Sequence, residues 1–177
     1  MHNAAFAALG IDAHYTALDV PVADIGKVIA GFREAQEFVG ANVTVPHKRA
    51  VMEFLDGVDA TAAAIGAVNT IERTGGPGGG LMGRNTDAAG FLGALAELEP
   101  ARGATMALLL GAGGSARAVA WALLGRGVSV AVYNRSRARA EELVNQVGTA
   151  AGAVGDDLRV CDRSQALDAL AATDLVI

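Results

Sequence analysis

Cysteine is nearly absent from this chain, which contains Cys161 and no second thiol. A single cysteine cannot form a disulfide within the chain, so the sequence favours a reducing compartment and predicts a cytoplasmic protein. The first residues, 1–6, also lack the basic segment and long apolar stretch of a secretion signal. We therefore expect a chain that folds without disulfides and carries no targeting segment.

Positive charge and uninterrupted apolar sequence are also scarce. The chain has 14 Lys and Arg against 19 Asp and Glu, a net charge of −5 at pH 7, which argues against nucleic acid or an anionic membrane as the main partner. The most apolar region, 106–133, is interrupted by Arg117 and Arg126, whereas a membrane span needs about 20 nearly uncharged residues. We expect no nucleic-acid partner, no membrane partner and no bound metal, and a monomer or a homodimer.

Apolar residues are abundant, and their spacing alternates between that of helices and that of strands. Of the 177 residues, 52% are hydrophobic and 19% are charged, which is a globular composition. The pattern predicts a helix after Pro46 and helices at 2–9, 25–32, 86–98, 115–124 and 136–147. Strands are predicted at 14–20, 38–45, 67–73, 81–84, 105–110, 128–133, 158–161 and 174–177. This order predicts an α/β fold with parallel sheets and helices on both faces.

A domain boundary is predicted at 100–103, which separates a unit at 1–100 from a unit at 101–177. The second unit opens with a strand, a glycine-rich turn, a helix and another strand, the order of a Rossmann dinucleotide-binding unit. Gly111 permits the sharp turn and Gly113 lets the backbone approach a pyrophosphate, while the helix N-terminus supplies free N–H groups. The motif predicts a dinucleotide held by Gly111, Ala112, Gly113, Gly114 and Ser115. The alternative is that these are turn glycines without a ligand.

The end of the next strand indicates which dinucleotide would bind. An NAD-selective site usually has Asp or Glu about 20 residues past the glycines, and Arg135 occupies that place here. A guanidinium group pairs with a 2′-phosphate, so the sequence predicts NADP, surrounded by Asn134, Arg135, Ser136 and Arg139. The alternative is that these arginines form only a solvated first helical turn, although cations are slightly unfavourable there.

Three polar clusters of the first half lie at predicted strand ends, where ligand sites gather in open α/β sheets. They are Asn-Val-Thr-Val-Pro-His-Lys at 42–48, Gly-Ala-Val-Asn-Thr at 66–70 and Gly-Arg-Asn-Thr-Asp at 83–87. Taken singly, Lys48 would be a solvated surface group and Asp87 a helix cap. Taken in this order, and followed by the glycine motif and Asn-Arg-Ser, the clusters resemble the shikimate dehydrogenase family over nearly the whole chain.

The resemblance implies a role for each cluster. In that family the lysine of the first cluster is the catalytic acid/base, and the aspartate of the third pairs with it and binds substrate; they fall on Lys48 and Asp87. The residues that bind substrate hydroxyls and carboxylate fall on Thr44 and Asn69. Reduction of a ketone needs a proton at the developing alkoxide, and a lysine beside a carboxylate can supply it. We expect Asp87 to lie within hydrogen-bonding reach of Lys48.

The reaction implied by the resemblance is the NADPH-dependent reduction of 3-dehydroshikimate to shikimate, in the chorismate pathway of aromatic amino acid biosynthesis. The family also has a strand and a Ser-x-Ser segment before the first helix and a sheet that continues past residue 177, so we expect a piece of a longer protein. Two alternatives are an inactive dinucleotide-binding fragment and a quinate/shikimate dehydrogenase paralogue. A third, another two-domain Rossmann oxidoreductase such as a methylene-tetrahydrofolate dehydrogenase, is disfavoured by the ordered motifs around Lys48 and Asp87.

Overall fold

The computed structural model describes residues 1–98 and 103–177, and its strands form two sheets, one from each half of the chain. In the first half, the helices are α1 (His2–Leu9), α2 (Ile25–Glu34), α3 (Ala60–Ile65) and α4 (Asp87–Ala96). The strands are β1 (Gly40–Asn42), β2 (Gly57–Val58), β3 (Thr70–Arg73) and β4 (Leu81–Arg84). The boundary predicted at 100–103 lies outside the described residues except for Gly103.

The first sheet is mixed rather than parallel, which corrects the sequence prediction. Its order is β1–β3–β4–β2, with β3 antiparallel to both β1 and β4, and β2 parallel to β4. The glycine-rich segment 74–80 explains the difference, because it turns the chain back and the Thr74 N–H donates to the Gly80 carbonyl at 2.9 Å. A short hairpin of this kind joins antiparallel strands, whereas a parallel pair needs a long crossover.

The second half forms the parallel sheet that the sequence predicts. Its helices are α5 (Gly114–Leu124), α6 (Arg137–Ala151) and α7 (Arg163–Ala169), and its strands are β5 (Met106–Leu110), β6 (Ser129–Tyr133), β7 (Leu158–Val160) and β8 (Leu175–Val176). The order is β7–β6–β5–β8, and all three pairs are parallel. Successive strand residues face opposite sides of a sheet. Leu109 therefore packs with residues of α5 and α6, whereas Leu108 packs with residues of α7.

Two predicted elements of the first half are not formed. Residues 14–20, predicted as a strand, contain none. Tyr15 instead donates its N–H to the Asn3 side chain at 2.7 Å and accepts from it at 2.9 Å, which satisfies backbone groups that a strand would pair with a neighbour. The helix predicted after Pro46 is a turn over 45–49 followed by a 3₁₀ helix, Ala50–Phe54. The i→i+3 hydrogen bonds of a 3₁₀ helix replace the i→i+4 hydrogen bonds of an α-helix there.

The helix predicted at 2–9 and the strand predicted at 81–84 are confirmed with the same bounds, and the other predicted elements are present with shifted bounds. The strands predicted at 38–45 and 67–73 shorten to β1 and β3. Three elements, β2, α3 and α7, are absent from the sequence prediction. They have 2, 6 and 7 residues, fewer than the roughly 4 residues over which strand alternation is read and the roughly 11 over which helical periodicity is read.

Neither a membrane-spanning helix nor a metal-binding cluster occurs in the described parts of the chain. Among residues 1–98 and 103–177, no helix has the length and apolarity needed to cross a bilayer. The same residues hold no group of three or more His, Cys, Asp or Glu side chains placed to bind a metal ion.

Arg117 joins the two halves through a fully buried guanidinium group. It lies on α5 and is 0% exposed. Its Nε donates to the Ile65 carbonyl at the end of α3 at 3.0 Å, and its Nη2 donates to the Gln146 side chain on α6. Burial lowers the pKa of Arg117, and the neighbouring charge of Arg49 lowers it further. The Arg117 side chain of the second half thus donates a hydrogen bond to a backbone carbonyl at the end of α3 in the first half.

Small apolar residues surround this contact and let the helices of the two halves approach closely. Ile65 and Ala67 from the first half pack in one cluster with Ala118 and Ala122 of α5. A second polar contact crosses the same junction, where the Arg49 Nη1 donates to the Glu142 Oε2 at 3.1 Å. The relative position of the two sheets is therefore set by close helix packing around a buried charge.

The substitution Arg117→Ala should lower the free energy of unfolding by about 3–5 kcal/mol, because it leaves a cavity and strips the Ile65 carbonyl of its partner. Urea unfolding followed by circular dichroism measures this change. Arg126→Ala is the matched control, since Arg126 is exposed just after the same helix, and it should stay within about 0.5 kcal/mol of the parent. Equal losses in both variants would mean that the buried guanidinium does not hold the halves together.

Candidate active site

Lys48 lies at the junction of the two halves, in the turn that follows β1. Its carbonyl accepts from the Val68 N–H at 2.7 Å, which fixes the turn against the chain entering β3. Its Nζ donates to Asp87 Oδ2 at 2.6 Å and to Ser115 Oγ at 3.1 Å. The Lys48 side chain is 11% exposed and that of Asp87 is 26% exposed. The structure thus brings Lys48 and Asp87 together, as the sequence predicts.

Asp87 is held in place by two asparagines. Its second oxygen, Oδ1, accepts from Asn69 Nδ2 at 2.7 Å. Its own N–H donates to Asn85 Oδ1 at 3.0 Å, and the buried Asn85 amide also donates to the Ala67 carbonyl at 2.9 Å. Asp87 is also the first residue of α4, with Thr86 as the N-cap of that helix. Asp87 therefore stands at a helix start and also faces the lysine.

Of the predicted substrate-binding residues, Asn69 joins this network and Thr44 does not. Asn69 Oδ1 accepts from the Thr86 N–H at 2.9 Å and from Thr70 Oγ1 at 3.0 Å, so both ends of its amide are engaged. The Thr44 side chain is exposed and makes no hydrogen bond to Lys48, Asp87 or Asn69. Asn69 therefore contacts the candidate acid/base pair, whereas Thr44 makes no hydrogen bond to it.

The glycine motif has the geometry of a ligand-binding turn. Gly111 has φ 133, a value that glycine tolerates and other residues rarely adopt, and its N–H donates to the Tyr133 carbonyl at 2.8 Å. A side-chain carbon added at Gly113 would meet nothing within 4 Å, so the backbone faces open space there. α5 starts at Gly114, and no side chain caps its first turn. Free N–H groups at an open helix start can bind an anionic group.

The residues predicted to surround a 2′-phosphate lie beside this turn, because β5 and β6 are neighbours and their carboxyl ends meet at one edge. Asn134 Nδ2 donates to the Ser136 carbonyl at 2.8 Å, which orders the start of α6. Arg135 and Arg139 are exposed, and neither side chain forms a hydrogen bond or ion pair with the described residues. Arg137 differs, because its Nε pairs with Glu141 at 2.8 Å.

One residue of the site and one contact were missed by sequence reasoning. Asn85 bridges Ala67 and Asp87, and its place two residues before a helix is the available signal, because asparagine often bonds local backbone there. Ser115 was predicted as a cofactor-binding residue, but its contact with Lys48 was not predicted. The two residues are 67 positions apart, and no local sequence pattern indicates such a contact.

Comparison with known proteins agrees with this arrangement. Residues 1–71 match the family model described as the shikimate dehydrogenase substrate binding domain, and residues 94–177 match the model described as shikimate / quinate 5-dehydrogenase. The chain belongs to the shikimate dehydrogenase family. It is 47% identical, over its full length, to the NADP(+) shikimate dehydrogenase of Symbiobacterium thermophilum, of which it spans 59%.

Two solved structures of shikimate dehydrogenase relatives bear on the site. The shikimate 5-dehydrogenase of Thermus thermophilus, in complex with NADP(H) and shikimate, is 40% identical and has a TM-score of 0.70, with 91% of this chain and 56% of that one covered. The Corynebacterium glutamicum quinate dehydrogenase, in complex with NAD, is 32% identical and has a TM-score of 0.81, with 99% and 62% covered. The chain thus spans about three fifths of the length of these relatives.

The substitution Asn85→Ala should lower the free energy of unfolding by about 1–3 kcal/mol, because the buried Ala67 carbonyl and the partly buried Asp87 N–H each lose a partner. Asn145→Ala, at an exposed position on α6, is the control and should change stability by less than about 0.5 kcal/mol. Urea unfolding of both variants measures the difference. An Asn85 variant as stable as the control would show that the bridge is dispensable.

Proposed function

We propose that this chain contains the substrate-binding and cofactor-binding core of an NADP-dependent shikimate dehydrogenase, which reduces 3-dehydroshikimate to shikimate. Residues 1–100 form the substrate side and residues 101–177 the cofactor side. The observation that carries the proposal is the meeting of Lys48 with Asp87 at 2.6 Å and with Ser115 of the glycine motif at 3.1 Å. An acid/base candidate and a dinucleotide-binding turn therefore share one junction.

In this proposal, Lys48 delivers the proton that the reaction needs. When bound, the nicotinamide supplies a hydride to the substrate carbonyl carbon. Lys48 Nζ donates a proton to the carbonyl oxygen as it becomes an alkoxide, so the ketone gains one hydride and one proton. Asp87 stabilises the lysine charge through its 2.6 Å contact, and Asn69 orients Asp87 through the other oxygen at 2.7 Å. Asn69, Asp87 and Thr44 are the groups proposed to bind substrate hydroxyls and carboxylate.

The fit of an NADP molecule is supported by the charge and openness of the glycine motif and its neighbour. Gly113 faces open space at a helix start, which suits a pyrophosphate. Arg135 and Arg139 are exposed with no partner among the described residues, so a 2′-phosphate would not have to displace an existing ion pair. The residues proposed to hold the cofactor are Gly111, Ala112, Gly113, Gly114, Ser115, Asn134, Arg135, Ser136 and Arg139.

The role of Lys48 is tested by Lys48→Ala, which should lower kcat by about 10² or more, the range for loss of a general acid. NADPH oxidation in the presence of 3-dehydroshikimate gives the rate. The measurement uses this chain and a version extended by the flanking segments of the Symbiobacterium relative. Lys27→Ala is the control, because Lys27 is exposed and pairs only with Asp24 among the described residues. A kcat near the parent value would remove Lys48 from this role.

The cofactor assignment is tested by Arg135→Ala, which should weaken NADPH binding by about 1.5–3 kcal/mol, the usual worth of a hydrogen bond to a charged group. NADH binding should hardly change, because NADH lacks the phosphate. Fluorescence titration of both cofactors measures the two affinities. Arg163→Ala, which removes an exposed arginine at the start of another helix, should alter neither. Equal losses for both cofactors would contradict a phosphate contact at Arg135.

A second candidate function is quinate oxidation. It is favoured by the matched family model, whose description includes quinate, and by the likeness to the Corynebacterium structure in complex with NAD. An NAD-selective site usually has Asp or Glu at the place held here by Arg135, so this position favours the first candidate, an NADP-dependent shikimate dehydrogenase. Oxidation rates with shikimate and quinate, each with NADP and NAD, discriminate the two. Cofactor binding without turnover in the extended version would identify a dinucleotide-binding fragment instead.

A further inference from the structure

The glycine motif contacts Lys48 at two consecutive residues. Ser115 Oγ accepts from Lys48 Nζ at 3.1 Å. At Gly114, an added side-chain carbon would lie 3.0 Å from Lys48 Cβ and 3.1 Å from Lys48 Cδ. The aliphatic stem of the lysine therefore lies directly on the backbone of Gly114, and its amine reaches the next residue. These contacts join the loop proposed for a cofactor to the group proposed for proton transfer.

Gly114 differs from the other glycines of the motif in what it does. Gly111 is required by its positive φ, and Gly113 leaves open space for a ligand. Gly114 has neither property. Its backbone lies outside the left-handed region, and the space that a side chain would occupy there is filled by the Lys48 side chain. Contacts of 3.0–3.1 Å are tighter than ordinary van der Waals distances, so a methyl group there would displace the lysine stem.

The Ser115 hydroxyl likewise does not cap the helix on which it lies. The helix that starts at Gly114 has no side-chain cap, so the hydroxyl is not used on the first turn. Its hydrogen-bond partner among the described side chains is Lys48. An ammonium group has three N–H donors in tetrahedral directions. Because Asp87 and Ser115 take two of them, the direction of the third is fixed.

We propose that Gly114 and Ser115 are positioning residues for Lys48, which hold its amine so that the third N–H points in one direction. With Asp87 alone, rotations about the bonds of the lysine side chain could shift and tilt the amine while its one hydrogen bond is kept. The second bond to Ser115 and the packing of the stem on Gly114 restrict those rotations. Orientation of a reacting group contributes directly to rate. The catalytic consequence rests on the proposed function, but the orientation of the amine does not, so the two can be tested separately.

The chain allows a direct test of the amine, because Lys27 and Lys48 are its only two lysines. Lys27 is 84% exposed and serves as an internal reference for Lys48, which is 11% exposed. Trace acetylation with acetic anhydride, followed by mass spectrometry of the peptides, gives the Lys48 to Lys27 reactivity ratio. Ser115→Ala should raise this ratio by about tenfold or more, the effect of losing one hydrogen bond to a charged group. This readout needs no turnover.

Ser164→Ala is the matched control, because Ser164 is an exposed second residue of its helix, as Ser115 is. It should leave the ratio unchanged, and Ser115→Thr, which keeps a hydroxyl, should restore most of the parent value. Gly114→Ala is an independent arm that should also raise the ratio by pushing the lysine stem away. A ratio that is the same in parent, Ser115→Ala and Gly114→Ala would overturn the proposal.

Kinetics of the extended, active version separate positioning from a cofactor contact. Ser115→Ala should lower kcat by about fivefold to tenfold, with less than a twofold change in the KM for substrate. This loss of kcat at saturating NADPH is expected in addition to any change in the Kd for NADPH, because Ser115 is also proposed to hold the cofactor. Ser115→Thr should recover most of kcat. If Ser115→Ala weakens NADPH binding and leaves kcat and the labelling ratio unchanged, Ser115 is a cofactor contact only and the proposal is wrong. Absence of turnover in the parent would contradict the proposed function and leave the labelling result valid.

Discussion

The buried guanidinium of Arg117 is the interaction on which the site depends. It connects the end of α3 to α5 and α6, within a cluster of small apolar residues shared by both halves. A charge that is fully removed from water is costly unless its donors are satisfied. The buried Nη1 of Arg117 has no partner among the described residues. Separation of the two sheets would break the bond from Nε to the Ile65 carbonyl and expose the apolar surface around it. That constraint keeps Lys48 of the first half within 3.1 Å of Ser115 in the second.

Around this fixed junction, the polar groups of the site restrict one another. Asn85 ties the start of α4 to the Ala67 carbonyl, Asn69 binds one oxygen of Asp87, and Lys48 binds the other. Each group has its direction set by a partner on a different segment, which is what preorganisation requires. The cofactor side is different, since Gly113 faces open space and Arg135 is exposed without a partner among the described residues. The proposed acid/base pair is thus fixed by contacts within the protein, whereas the surface proposed for a dinucleotide is open.

Sequence reasoning worked best where a function needs a local pattern. The strand, glycine turn and helix around Gly111 follow from spacing, because phosphate binding is a property of one short segment. The Lys48–Asp87 contact followed from a family resemblance and not from local spacing. Reasoning failed at 14–20, where the Asn3 side chain takes the backbone bonds of Tyr15 that a strand would have used. It also treated Arg117 only as a charge that interrupts an apolar region, although the residue is fully buried.

The sequence by itself determined the α/β class, the parallel second sheet, the glycine motif and the identity of the residues available for chemistry. These depend on apolar period, turn chemistry and residue type, which are readable within a few positions. Only the tertiary structure decided that Gly114 makes room for a lysine and that Ser115 binds it. The partners are 66 and 67 positions apart, and their distance depends on how two sheets pack through α3 and α5. Packing of that kind is a sum over many distant contacts, so no local sequence pattern encodes it.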